Sequence, residues 1–200
     1  MEDSPHRDTR LALDLALTVR HDGDGGIADD LADPSGLTAW VRARPDLLPG
    51  ADAYRADTDA LTAVRELRTA VRTLFAHAVR PGEPSPADAH RLLPLPEALR
   101  RLNTAAELTP TVPVLHWTED TAPVLERRPA QGDAAITALL AQAAITFLTG
   151  PDRPRLRACH APRCVRYFLK DHPRQEWCKP SCGNRARVAR HAERHKRTVT

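Results

Sequence analysis

The chain has 200 residues, 42% of them hydrophobic and 28% charged, which is enough to bury a sizeable core in one medium domain or in a domain with a small module. Its charges are unevenly distributed: the last 50 residues contain 14 Lys or Arg and 4 Asp or Glu, a net charge of +10, while the first 150 have a net charge of −7. This charge distribution predicts an acidic body joined to a basic module that binds a polyanion.

The N-terminal residues do not resemble an export signal. Residues 1–10 are polar and are expected to form a loose terminus, and the apolar run 11–19 is interrupted by Asp14 and lacks a small-residue cleavage site. The longest uncharged stretch, residues 134–149, is short for a membrane span. We therefore expect a cytoplasmic protein with no membrane segment.

The first predicted elements of the chain are short. By periodicity alone, residues 11–19 suit a strand and a buried helix equally well. Residues 21–33 are rich in Gly and Asp and predict a solvated turn. A short helix follows over residues 34–44, with Asp33 as its N-cap and a proline directly after it.

The strongest helical pattern covers residues 53–80. Apolar residues recur there at every third or fourth position, which predicts a long amphipathic helix. The opposite face carries Arg65, Arg68 and Arg72, which we interpret as a solvated face.

The remainder of the first 150 residues continues this mainly helical pattern. Helical turns are predicted at residues 86–93 and 96–108, and alternating apolar residues over 112–126 predict a small β-hairpin. Residues 134–149 predict a central core helix, after which Gly150 and Pro151 mark a domain boundary. We expect two parts with separate cores, one over residues 1–150 and one over residues 151–200.

Four cysteines form two close pairs with the spacing C-x4-C and C-x3-C: Cys159, Cys164, Cys178 and Cys182. Four thiolates can close a tetrahedral zinc shell, so the pattern predicts one structural Zn²⁺ rather than a catalytic ion. The alternative is two disulfides, but a cytosolic chain keeps its thiols reduced. Four histidines lie near the cysteines in sequence and could replace a thiolate: His160, His172, His191 and His195.

The residues around the cysteines predict a small finger. Residues 167–170 are expected to form a strand, residues 171–174 a turn, and residues 175–178 a second strand that pairs with the first. Ser181 is a suitable N-cap, and because no proline occurs from Cys182 onward, we expect a helix of about four turns that runs to near Arg197. Cys182 then lies in the first helical turn, where free N–H groups and the helix dipole stabilise a thiolate. The turn that carries Cys159 and Cys164, here called the knuckle, resembles a treble clef together with the hairpin and the helix.

The tetrapeptide Cys182-Gly183-Asn184-Arg185, preceded by Trp177-Cys178 and the first cysteine pair, resembles the CGNR zinc-finger family, which is named for these four residues. Members of that family carry an N-terminal helical domain called ABATE and are described as stress-induced transcription regulators. The resemblance therefore implies a bacterial-type regulator of transcription.

Two segments near the N-terminus resemble the start of the ABATE domain. These are residues 11–14 followed by Thr18, and residues 37–40. The family often has Asn before the Thr, whereas this chain has Leu17. The resemblance favours a helix for residues 11–19. The predicted fold is mainly α with a small β-hairpin in the N-terminal domain, followed by a treble-clef-like zinc finger.

The helix after Cys182 has two faces. One arc is predicted to pack against the finger and contains Ala186, Val188, Ala189 and Ala192. A separate stripe is cationic and has His191 at its edge: Arg187, Arg190, Arg194 and Arg197. Such a helix can enter the major groove of double-stranded DNA, with further phosphate contacts from Arg166, Arg174 and Lys179. Arg185 falls in the packing arc, and we expect it to contact the knuckle carbonyls or thiolates.

We predict that the protein is not an enzyme, because no spacing of hydroxyls, histidines and carboxylates forces a nucleophile and a base together. The predicted function is a zinc-dependent DNA-binding regulator. A basic helix can also be a solvated end, or belong to an adaptor that binds acidic proteins. A third hypothesis is a redox sensor whose oxidised thiolates release zinc. Each of these three hypotheses is compatible with a small-molecule effector in the N-terminal domain and with a homodimer.

Overall fold

The computed structural model describes residues 4–22, 26–88, 91–119, 122–129 and 135–198, without the side chains of residues 4, 5, 127 and 196–198. The helices in this part of the chain are α1 (Ser4–Ala16), α2 (Pro34–Arg42), α3 (Thr58–Ala78), α4 (Leu95–Glu107), α5 (Ile136–Thr149) and α6 (Pro180–Thr198). The strands are β1 (Val19–His21), β2 (Ile27–Asp29), β3 (Thr111–His116), β4 (Val124–Pro129), β5 (Leu156–Ala158) and β6 (Tyr167–Leu169). Among these elements, no helix has the length and apolar content needed to cross a membrane.

Helix α3 is the centre of the N-terminal part. It begins after Asp57, whose side chain accepts a hydrogen bond of 2.7 Å from the Ala60 N–H and so satisfies a free donor of the first turn. Six residues of the predicted apolar stripe are buried: Leu61, Val64, Leu67, Val71, Leu74 and Phe75. The seventh, Ala78, is half-buried. Helices α4 and α5 pack against α3, and α1 packs against α5. The long amphipathic helix is confirmed, with bounds narrower than residues 53–80.

The N-terminus is helical from Ser4, so the expectation of a loose terminus is wrong for residues 4–10. Leu11 and Leu15 are buried against the core, and the Arg7 guanidinium donates a 2.7 Å hydrogen bond to the Leu47 carbonyl. These contacts order the first turns of α1. The favoured helix for residues 11–19 is confirmed as far as Ala16, where α1 ends.

Helix α2 has the predicted cap. The Asp33 carboxylate accepts a hydrogen bond of 2.8 Å from the Gly36 N–H, and Pro34 occupies the first turn, where a missing N–H costs nothing. Hydrogen bonds from Ser35 and from the Gly36 N–H lower the pKa of Asp33. The helix buries Leu37, Trp40 and Val41.

The strands form three separate antiparallel hairpins, β1-β2, β3-β4 and β5-β6. The first lies where the sequence predicted only a turn. The second confirms the predicted hairpin and places Val114 opposite Glu126.

The third hairpin corrects the predicted pairing in the finger. Strand β6 pairs with β5, with Tyr167 opposite Ala158, and not with residues 175–178. Leu156 and Tyr167 are each 1% exposed, so burial favours this pairing. The Asp171 N–H donates instead to the side chain of Gln175 at 2.8 Å, which closes a turn where the second strand was expected.

One continuous core joins the two predicted parts of the chain. Leu156, Ala158 and Tyr167 belong to the same buried cluster as Phe75 and Phe147. The Tyr167 ring packs edge-on against Phe75 with 5.5 Å between centroids. The expectation of separate cores is therefore wrong for β5 and β6, although the cysteines form a small buried cluster of their own. The division at residue 150 stays a prediction.

Arg68 and Arg72 contradict the solvated face predicted for α3, because they are only 7% and 4% exposed. Arg68 donates to both carboxylate oxygens of Asp29, at 2.5 and 2.7 Å, and to the Thr18 hydroxyl at 2.9 Å. A helical wheel separates faces, but it does not show that a carboxylate from a distant hairpin will cover an arginine. Arg65 is exposed, as predicted.

Replacing Asp29 with Asn leaves the buried Arg68 without its counter-charge. We expect the free energy of unfolding at pH 7 to fall by about 2–4 kcal/mol, measured by urea denaturation. The matched control is Asp30→Asn, which removes an exposed ion pair with Arg20 at 2.7 Å and should cost less than about 1 kcal/mol. Equal losses in the two variants would contradict the structural role of the Arg68 pair.

The same pair predicts a dependence of stability on pH. Burial alone would raise the pKa of Asp29, but the hydrogen bond and charge of Arg68 outweigh it, and the pKa lies below its ordinary value of 3.8. A carboxylate with a lowered folded-state pKa stabilises the fold above about pH 4, and this contribution is lost as the pH falls through the folded-state value. The stability difference between wild type and Asp29→Asn should shrink in that acid range. A constant difference down to acid unfolding would contradict this.

Candidate zinc centre and adjoining basic helix

The four cysteine sulfurs come together at one point of the finger, all within 4.8 Å of one another. The Cys178 sulfur lies 3.7 Å from that of Cys164 and 3.6 Å from that of Cys182. A tetrahedron with Zn–S bonds of about 2.3 Å has edges of about 3.8 Å. A disulfide would require about 2.05 Å. The donor set therefore fits a closed zinc shell and not a pair of disulfides.

The first cysteine pair is held in a tight knuckle. The Cys159 N–H donates to the Arg166 carbonyl, and the Cys164 N–H donates to the Ala161 carbonyl, each at 2.9 Å. Arg163 has a φ of 63°, a left-handed conformation that lets the chain reverse before Cys164. Cys159 and Cys164 are buried, so water has little access to their sulfurs.

The second pair is fixed by the start of α6. Pro180 opens the helix, and the Cys182 N–H donates to the Lys179 carbonyl at 3.0 Å, which places its sulfur in the first turn. A Cβ on Gly183 would lie 3.0 Å from Cδ1 of Trp177. The glycine thus allows the indole to pack directly on the helix beside the cysteines.

The thiols of Cys159, Cys164 and Cys178 share their protons. Hydrogen bonds from Cys164 and Cys178 lower the pKa of the Cys159 thiol, and the same bonds raise the pKa values of their two donors. Without a cation, the cluster therefore keeps protons that a metal must displace, so its zinc affinity rises with pH.

Arg185 lies beside the thiol cluster. Its Nη2 is 3.1 Å from the Cys182 sulfur, within hydrogen-bonding distance. A guanidinium at this position offsets part of the excess negative charge of four thiolates. The predicted structural role of Arg185 stays a prediction, but its side chain has the required position.

Family comparisons agree with this geometry. Residues 9–151 match the model of the ABATE family, described as "Putative stress-induced transcription regulator". The chain belongs to the ABATE family. Residues 155–195 match the CGNR zinc finger, and the four thiols of this CGNR finger hold one structural Zn²⁺. No curated protein matches the chain.

A buried polar network joins the ABATE part to the CGNR finger. The Arg72 guanidinium donates to both carboxylate oxygens of Asp88, at 2.7 and 3.1 Å, and to the Val165 carbonyl at 3.3 Å. The Ser85 hydroxyl donates to the same carbonyl at 2.9 Å. The Tyr167 hydroxyl donates to Asp88 at 2.7 Å. Because Val165 follows Cys164, the network contacts the residue next to a zinc ligand.

Burial, together with the charge and the hydrogen bond of Asp88, raises the pKa of Tyr167. Its hydroxyl therefore remains a donor at neutral pH. Sequence reasoning missed these network residues. The available signal was the stretch 70–76, in which Arg72 is the one charged residue. All seven residues of this part of α3 are buried.

The basic residues proposed for DNA contact are mostly exposed. Arg174, Lys179, Arg187, Arg190 and Arg194 are exposed, and Arg166 is half-buried. The side chain of Arg197 lies outside the described residues.

The predicted packing face of α6 is only partly buried. Ala186 is buried, but Val188 is 70% exposed and Ala192 is also exposed. The prediction that Val188 and Ala192 pack against the finger is therefore wrong. Residues 190–195 are all exposed, so the second half of α6 extends beyond the finger, where an apolar arc has nothing to cover it.

Reduced protein should contain one zinc ion per chain by elemental analysis, because four thiolates leave no ligand for a second ion in this shell. Cys178→Ser should lose most of the bound zinc. The matched controls are His160→Ala and His172→Ala, which should keep it if histidines do not replace thiolates. Absence of zinc from freshly purified, reduced wild type would contradict the closed-shell assignment.

Proposed function

We propose that the chain is a zinc-dependent DNA-binding transcription regulator, in which the CGNR finger contacts double-stranded DNA and the ABATE part regulates or assembles the finger. The observation that carries this proposal is the row of exposed arginines on α6, a helix anchored at its first turn by the zinc centre. The proposal places the protein in the cytoplasm, where thiols stay reduced and can bind zinc.

The shape of α6 suits a DNA groove. Arg187, Arg190 and Arg194 recur every three or four residues, so they form one stripe along the helix. An α-helix with its side chains is about 10–12 Å wide, close to the width of the major groove. Guanidinium groups in that groove can bind guanine edges or clamp phosphates.

Two further cations lie near the start of the helix. Arg174 and Lys179 are exposed on the turns that lead into α6, where they could contact the phosphates flanking the groove. The ABATE part has the opposite charge, a net −7, so DNA should repel it and favour approach by the finger.

The regulatory role of the ABATE part is also proposed. A groove of about 670 Å³ beside the end of α3 is lined by His77, Arg80, Glu83 and Leu93, among others, and offers space for a small-molecule effector. The proposal assigns the chain no catalytic role. The homodimer stays a prediction.

The proposal is tested by fluorescence anisotropy with labelled duplex DNA selected from a random pool. If five to eight phosphates are contacted, the slope of log affinity against log salt should lie near roughly −5 to −7. Removing zinc should abolish binding, because α6 loses its anchor. A flat salt dependence would contradict the proposal and favour the adaptor hypothesis. DNA binding that survives zinc removal would contradict the role of the zinc-anchored finger. If mild peroxide releases zinc and abolishes DNA binding, this result would support the hypothesis that the finger is also a redox sensor.

Two arginines of α6 form a matched pair of variants with the same charge change. Arg190→Ala should keep zinc and thermal stability but lower DNA affinity, by on the order of 1–3 kcal/mol if Arg190 contacts a base. Arg185→Ala should lower zinc retention and the melting temperature, because the Nη2 contact to Cys182 is lost. Equal losses of DNA affinity in both variants, with zinc and stability unchanged, would place Arg185 on the binding surface instead.

A further inference from the structure

His191 and His195 lie one turn apart in the exposed second half of α6. Their Nε2 atoms are 3.2 Å apart, and their ring centroids are separated by 4.3 Å. Both side chains are exposed. The Nε2 atoms of the two rings therefore lie next to each other, within hydrogen-bonding distance, on one face of the helix.

We propose that these two imidazoles chelate a divalent first-row transition-metal cation, at a second metal site separate from the four-thiol centre. Metal–imidazole bonds are about 2.0–2.1 Å long, so two nitrogens 3.2 Å apart subtend an angle of roughly 100° at a shared ion. That angle lies between the octahedral and tetrahedral values. The side chains can therefore accept an ion without a change of helix geometry.

The donor chemistry defines the class of ion. Neutral imidazole suits nickel, copper and zinc, whereas magnesium and calcium prefer oxygen ligands. Two protein ligands leave the remaining coordination positions to water, so this site is open, unlike the closed shell of the finger.

The position on the helix affects binding in two ways. The ion would lie in the last turns of α6, where the negative end of the helix dipole attracts a cation. Arg187 lies one turn before His191 and opposes binding through its charge, although its guanidinium turns toward Asn184 and hydrogen-bonds the side-chain oxygen there. A chelated ion would tie two successive turns together and reduce fraying of the helix end.

The test is a calorimetric titration of Ni²⁺ into the full, zinc-loaded chain without a purification tag. We expect one Ni²⁺ per chain with the zinc retained. His191→Ala and His195→Ala should each weaken Ni²⁺ binding on the order of 10²-fold, because the chelate becomes a single contact. The matched control is His172→Ala, an exposed histidine whose Nδ1 accepts from the Arg174 N–H, and it should bind Ni²⁺ like wild type.

A second measurement locates the ion. Paramagnetic Ni²⁺ should broaden the NMR signals of the His191 and His195 rings and of the neighbouring α6 amides before any others. Unchanged affinity in both single variants would overturn the proposal, as would an equal loss in His172→Ala. Nickel uptake matched by zinc release would also overturn it, because the ion would then be bound by the thiols.

Discussion

The buried guanidinium of Arg72 ties together three parts of the chain. It donates to the Ala16 carbonyl at the end of α1, at 2.6 Å, to Asp88 before α4, and to the Val165 carbonyl in the finger. A buried charge is costly unless it is paired and its donors are used. Arg72 satisfies this condition only when all three segments are in place, so the buried pair specifies how they assemble.

Tyr167 extends this constraint into the finger. Its ring is buried against Phe75, its hydroxyl donates to Asp88, and the Arg72 guanidinium lies 5.3 Å from the ring centroid. Tyr167 also begins β6, the strand that follows the knuckle. Strand β6, which follows the zinc-binding knuckle, therefore belongs to the core of the ABATE part. The ABATE part and the finger are in direct contact through this strand.

At the opposite end of the finger, the described side chains of residues 190–195 are all exposed. Helix α6 is anchored at Cys182 and Ala186, and its exposed arginines follow. The proposed DNA contact rests on this arrangement, in which the helix is attached at one end and presents a solvated, cationic surface at the other. The proposed histidine pair lies on the same exposed half.

Local features of this chain could be predicted from its sequence. The cysteine spacing predicted the zinc centre, and the Asp33 cap and the apolar period of α3 predicted helices that the structure contains. Several of the failures depended on partners distant in sequence.

The two arginines of α3 illustrate this limit. Arg68 and Arg72 look solvated on a helical wheel, and only the folded chain brings Asp29 and Asp88 to them. In the same way, β6 pairs with β5 because Leu156 and Tyr167 gain burial in a shared core, which local patterns in the finger do not reveal.

We infer that the Arg72 network makes the ABATE part and the finger one cooperative unit. It is tested most directly by amide hydrogen exchange of the full chain before and after zinc chelation. We predict that the amides of residues 70–76 in α3 lose protection together with those of β5 and β6, because Val165 and Tyr167 lose their positions. Unchanged protection of α3 while the finger amides exchange freely would contradict the claim.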